Sequence, residues 1–123
     1  MVEAGEGCGK RTTAFIKRMD KSIGNAVGNW LEVHECIEIM KSGKGSADLV
    51  SLCLVEAAQM LIQGGLVVSC SIKEGIKMAQ ENLANGKAYE KFKEMVIAQC
   101  EDVNVAEKHH DYPAAKCYVR KAC

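Results

Sequence analysis

The sequence has no surplus of either charge: sixteen Lys and Arg offset sixteen Asp and Glu, for a formal net charge of +0. Without a field of one sign, nothing steers the chain onto nucleic acid or an anionic membrane surface. It also lacks a long apolar run. No stretch approaches the roughly 20 apolar residues that a membrane span requires, and the opening Met-Val-Glu-Ala-Gly-Glu has no basic-then-apolar secretion pattern. The reading is a cytoplasmic protein with no nucleic-acid and no membrane partner. Cys-x-x-Cys is missing too, although seven cysteines stand at positions 8, 36, 53, 70, 100, 117 and 123. An odd, scattered set argues against a disulfide framework. Cys36 and Cys53 fall in apolar helical stretches, where a reduced thiol serves as a small hydrophobe. Cys100, His109, His110, Cys117 and Cys123 match no usual zinc spacing.

What the chain does have is enough apolar sequence, 48% over 123 residues, for the core of one domain. Residues 11–17 (Arg-Thr-Thr-Ala-Phe-Ile-Lys) are rich in β-branched and aromatic side chains and read as a strand. No second stretch has a strand pattern. A lone strand cannot satisfy its own backbone, so its neighbours are expected outside the chain, and the chain is expected to be a fragment.

Four helices follow. Ala26, Trp30, Val33, Ile37 and Met40 share one face of the first, at about 25–41. Ser46 is placed to cap a second, through about residue 63, that is apolar almost all round and therefore expected to be buried all round. Ser71 and Glu74 are spaced as a capping box for a third, with Ile72, Ile76, Ala79 and Leu83 inward and Gly86 as its stop. Tyr89, Phe92 and Val96 form the stripe of a fourth. After Cys100 the pattern decays into a polar stretch around Pro113. The division expected is a flexible N-terminal lead over 1–10, part of an α/β domain over 11–115, and an irregular tail over 116–123.

Two glycine-bearing stretches invite a phosphate-binding reading. The first, around Gly9-Lys10, fails as a P-loop: Ala4 stands at the first required glycine, Arg11 replaces the magnesium-holding Ser or Thr, and no strand precedes it. The second runs from Asp20 to Glu35, where Gly24 and Gly28 allow carbonyls to point at a ligand while Glu35 supplies a carboxylate.

That second stretch resembles the L-G-x-A-V-G-N-x-L-E-V-x-E signature of the thymidine and pyrimidine-nucleoside phosphorylases, through Ile23, Gly24, Ala26, Val27, Gly28, Asn29, Leu31, Glu32, Val33 and Glu35. The likeness continues through Asp48, Leu49, Leu52, Leu54, Met60, Gly86, Ala88, Phe92, Met95, Ala98 and Gln99. The resemblance implies an α/β fold, of which this chain is a mostly helical piece: one strand followed by about four helices. It implies a transferase of pyrimidine nucleoside salvage, a glycosyltransferase in which inorganic phosphate attacks the sugar carbon of thymidine or uridine to give pentose 1-phosphate and free base. In that family the phosphate is held by a Gly/Ser/Thr-rich loop with Lys-x-Ser, and the base by an Arg and a Ser-x-x-x-Lys motif, in segments that lie upstream of this signature. Hence no catalytic or substrate-binding residue is assigned, and the chain alone is expected to be inactive. What the resemblance does bring is a monovalent-cation site, formed by the backbone carbonyls of Ile23 and Ala26 and the side chain of Glu35. Oxygen-only donors suit potassium, with further ligands from an upstream segment. The partners implied are phosphate, a pyrimidine nucleoside, the remaining polypeptide of the enzyme, and a second copy in a homodimer. The alternative is a non-enzymatic helical interaction module derived from the same family.

Overall fold

The computed structural model describes residues 1–18, 20–100 and 104. Its elements are α1 (Val2–Gly7), α2 (Asn29–Ser42), α3 (Ala47–Gln63), α4 (Ile72–Ala84) and α5 (Lys87–Cys100). The four longer helices are those expected from periodicity. α2 begins four residues later than expected, because residues 25–28 belong to the glycine loop. The short α1 lies within the N-terminal lead, where the sequence reading had no element. The tail residues His109, His110, Pro113, Cys117 and Cys123 lie outside the described residues.

The expected strand over 11–17 is not seen. A strand is defined by the ladder it forms, and no second extended segment among the described residues lies beside this one. Instead the segment runs antiparallel along the polar face of α3. Gln63 donates to Thr13 Oγ1 at 2.8 Å, Gln59 donates to the same oxygen at 3.2 Å, and Lys17 pairs with Glu56 at 3.0 Å. Glu56, Gln59 and Gln63 are spaced three and four apart, so they share one face of the helix.

α3 packs chiefly on α4, α4 on α5, and α5 on α2. Where α3 and α4 cross, Gly75 is buried and Ala58 is fully buried. A Cβ on Gly75 would lie 2.8 Å from the Ala58 Cβ and 3.0 Å from its Cα, so the crossing brings backbone against backbone. Ile37, Ile39, Val67 and Val96 complete the core. Val67 is delivered by the turn after α3, where Leu66 N–H reaches back to the Leu61 carbonyl across Gly65 in the left-handed region, a Schellman stop. Tyr89 ties α2 to α5: the ammonium groups of Lys41 and Lys93 lie 5.3 and 5.2 Å from its ring centroid.

Packing and capping expectations are corrected in four places. α3 is not buried all round; Ala58 is its one buried residue, while Cys53 and Met60 are exposed. On α2, Ile39 is buried in addition to Ile37, whereas Val33 is exposed. The capping geometry also differs. The Ser46 hydroxyl donates to Asp48 rather than capping α3, and Glu74 accepts from Ser69, not from Ser71 at the N-cap. Between α2, α3, α4 and α5 lies an apolar pocket of about 280 Å³, lined by Cys36, Met40, Leu49, Cys53, Ala79 and Leu83 among others. Partial burial pushes both thiols up from their ordinary value, helped at Cys36 by the Cys53 thiol and the Glu35 and Glu32 carboxylates, and at Cys53 by Glu56 against the opposing Lys17 ammonium. Among the described residues no single helix is long and apolar enough to cross a membrane; α2 and α3 reach that length and composition only as a pair bent by 76°.

Candidate functional site

The glycine loop, residues 20–28, folds back over the first two turns of α2. Gly24 takes a φ of +78° and Gly28 a φ of +124°, the latter serving as the α2 N-cap. Helical spacing lifts Glu32 and Glu35 onto the loop. Glu35 Oε1 accepts the Asn25 N–H at 2.9 Å, and Oε2 accepts the N–H groups of Asn25 at 3.2 Å and Ala26 at 3.0 Å. Glu32 Oε1 accepts the Gly28 N–H at 3.0 Å. A Cβ on Gly24 would fall 2.7 Å from Glu35 Oε2, so the carboxylate lies close against this residue, whose left-handed backbone favours glycine.

A third carboxylate approaches from α3. Asp48 is held below the ordinary carboxylate value, first by the Ser46 hydroxyl and then by the Leu49 N–H, which reaches Oδ1 at 2.8 Å. The Gly24 N–H and the Lys21 ammonium act in the same direction. Sequence reasoning did not assign Glu32 or Asp48 a role. The Gly28/Glu32 spacing at a helix start is a legible signal for the first. The second lies far along the chain and depends on where α3 docks.

Beside the loop opens a shallow pocket of about 580 Å³, lined by Ala26, His34, Glu35, Glu38, Lys44 and Ser46 among others. It is mixed in charge, unlike the apolar pocket in the bundle. Of the three residues expected to hold a cation, Glu35 and Ala26 are brought into contact, through the Ala26 N–H. Ile23 immediately precedes the glycine against which the carboxylate lies. No group of three or more His, Cys, Asp or Glu among the described residues is placed to hold a metal by itself.

The chain matches the glycosyl transferase family, a/b domain, over residues 1–89. It belongs to that family. The chain is 34% identical over 116 residues to the pyrimidine-nucleoside phosphorylase of Geobacillus stearothermophilus. It is 35% identical over 115 residues to the enzymes of that name from Staphylococcus haemolyticus and Bacillus subtilis. Each alignment covers 94% of this chain and 26% of the relative, so the chain spans about a quarter of the length of the curated relatives it matches. No solved structure matches it significantly. The resemblance read from residues 23–35 and continued through 48–99 is matched by alignments over 94% of the chain.

Proposed function

We propose that this chain is the helical part of the α/β domain of a pyrimidine-nucleoside phosphorylase, and that its glycine loop braces the segment that holds phosphate. The observation that carries this reading is the Glu35 carboxylate seated on residues 24–26, in a chain aligned over 94% of its length with enzymes of that name. The reaction would be phosphorolysis of thymidine or uridine: a phosphate oxygen bonds to the sugar carbon, the carbon–nitrogen bond to the base breaks, and the bonding pair leaves with the base. Such a transition state needs a fixed anion on one face and stabilised charge on the leaving pyrimidine. Those groups belong to polypeptide outside this chain, so the chain alone is inactive, and the remaining polypeptide and a second copy are its partners.

The same reading places a potassium ion between the Ile23 and Ala26 carbonyls and Glu35. The donor set fits. Two carboxylate oxygens offer about four lone-pair sites, and the loop N–H groups make three bonds to them, which leaves acceptor capacity on the carboxylate. A bound cation would supply a fixed positive charge tying the loop to its neighbour. The free thiols at Cys8, Cys36, Cys53 and Cys70 suit a reducing cytoplasm.

Release of thymine or uracil from its nucleoside in phosphate buffer tests the assignment. The 123-residue chain is expected to release neither base, and a polypeptide that also carries the Lys-x-Ser and Gly/Ser/Thr-rich segments is expected to release base. Turnover by the short chain would mean the active site is misplaced. Silence from the longer polypeptide would turn the assignment toward the interaction module.

A further inference from the structure

The loop's shape is written in its N–H groups. Asn25 and Ala26 both donate to Glu35, and Gly28 donates to Glu32, so α2 grips the loop by its donors at three successive contacts. All peptide bonds described are trans. In a planar trans peptide the N–H of one residue points opposite to the carbonyl of the residue before it. With the Asn25 and Ala26 N–H groups turned onto Glu35, the Gly24 and Asn25 carbonyls must face away from it. The carboxylate also lies close against Gly24, 2.7 Å from where a Cβ would stand. These contacts are direct; nothing needs to stand between the carboxylate and the backbone.

We infer that Glu35 is a positioning residue that shapes the glycine loop without a bound cation, as an internal anion on the Asn25 and Ala26 N–H groups, so that a cation meets a loop already formed. Charge-assisted bonds from backbone N–H to carboxylate are among the stronger ones available to a protein. Two of them at adjacent residues fix two consecutive peptide planes. Asp48, approached by the Gly24 N–H from the α3 side, extends the same grip by one residue. Glu32 extends it at the other end. The inference holds whether or not the chain is part of a phosphorylase, because it concerns the loop and not the reaction.

Amide hydrogen exchange tests it, read residue by residue by mass spectrometry on the 123-residue chain at low concentration, in buffer whose sole cation is tetramethylammonium. The Asn25 and Ala26 amides are expected to exchange about tenfold or more slowly relative to an unstructured chain, and potassium chloride is expected to leave them within about twofold. Glu35→Ala is expected to abolish protection at both while the α3 and α4 amides keep theirs. Glu35→Gln, which keeps an acceptor oxygen but loses the charge, is expected to lower protection at both amides. Protection that appears only with potassium, or that survives Glu35→Ala, would overturn the inference. Where the alanine variant fails to fold, the glutamine variant decides: unchanged protection at both amides would count equally against it.

Discussion

Gly75 on α4 faces Ala58 on α3 with no room for a side chain between them. A Cβ at position 75 would sit 2.8 Å from the Ala58 Cβ and 3.1 Å from its carbonyl oxygen. Gly75→Ala would gain about 1 kcal/mol of helix propensity, yet it must push two backbones apart, and overpacking of that kind costs about 1–3 kcal/mol. The expected net result is a lower midpoint of denaturant unfolding. An unchanged or higher midpoint would show that α3 and α4 can separate freely.

Gly24→Ala meets two obstacles, the left-handed backbone and the Glu35 carboxylate. The first alone costs about 1–2 kcal/mol. The second adds to it only while the carboxylate is present. A double-mutant cycle with Glu35→Ala therefore has a definite sign: the Gly24→Ala cost is expected to fall in the Glu35→Ala background. Equal costs in both backgrounds would separate the two residues energetically.

The Asp48 carboxyl lies below its usual value because the Ser46 hydroxyl and the Leu49 N–H bond its charged form. A depressed folded-state value means the stability it contributes is fully present above the unfolded value of about 3.8 and is lost as pH falls through the lower folded value. Acid titration of wild type against Asp48→Asn, followed by circular dichroism, is expected to show a constant difference above that range. The difference should shrink below it. A difference that grows on acidification would reverse the sign.

Several apolar side chains stand well out into solvent, among them Ile16 at 100%, Val68 at 92%, Met60 at 69% and Leu66 at 64% exposed. Residues 11–17 add a run of extended backbone tied to α3 chiefly through side chains. Exposed apolar patches and extended backbone of this kind favour association. Light scattering on the purified chain is expected to show mass rising with concentration. A monomer that persists at high concentration and unfolds cooperatively would show that the core closes on itself.

The helices were legible in the sequence because a helix is a local object. Its bonds run between residues four apart, and its apolar period can be counted along the chain, as with Tyr89, Phe92 and Val96. The glycine loop and its carboxylate were legible for the same reason, since Gly24, Glu32 and Glu35 lie within twelve positions of one another. Ligation by carbonyls was expected there. The structure adds that N–H groups make the direct contact with Glu35, a peptide-plane orientation that no residue type specifies.

Everything that depends on a distant partner was decided only by tertiary structure. Residues 11–17 carry strand-forming side chains, but a strand exists only beside another, and α3 is what lies beside them. Ser71 and Glu74 have capping-box spacing, yet the Ser69 hydroxyl comes closer and takes the carboxylate. The apolar circumference of α3 specified that it should be covered without specifying by what, and among the described residues α4 covers one side. Gly75 looks like a weak point in a helical pattern until Ala58 is set against it. The sequence by itself determined which segments are helical and which loop carries the carboxylate, because backbone hydrogen bonding and side-chain period act over a few residues; which surfaces meet was left to packing, where contacts between residues far apart in the chain compete for the same space.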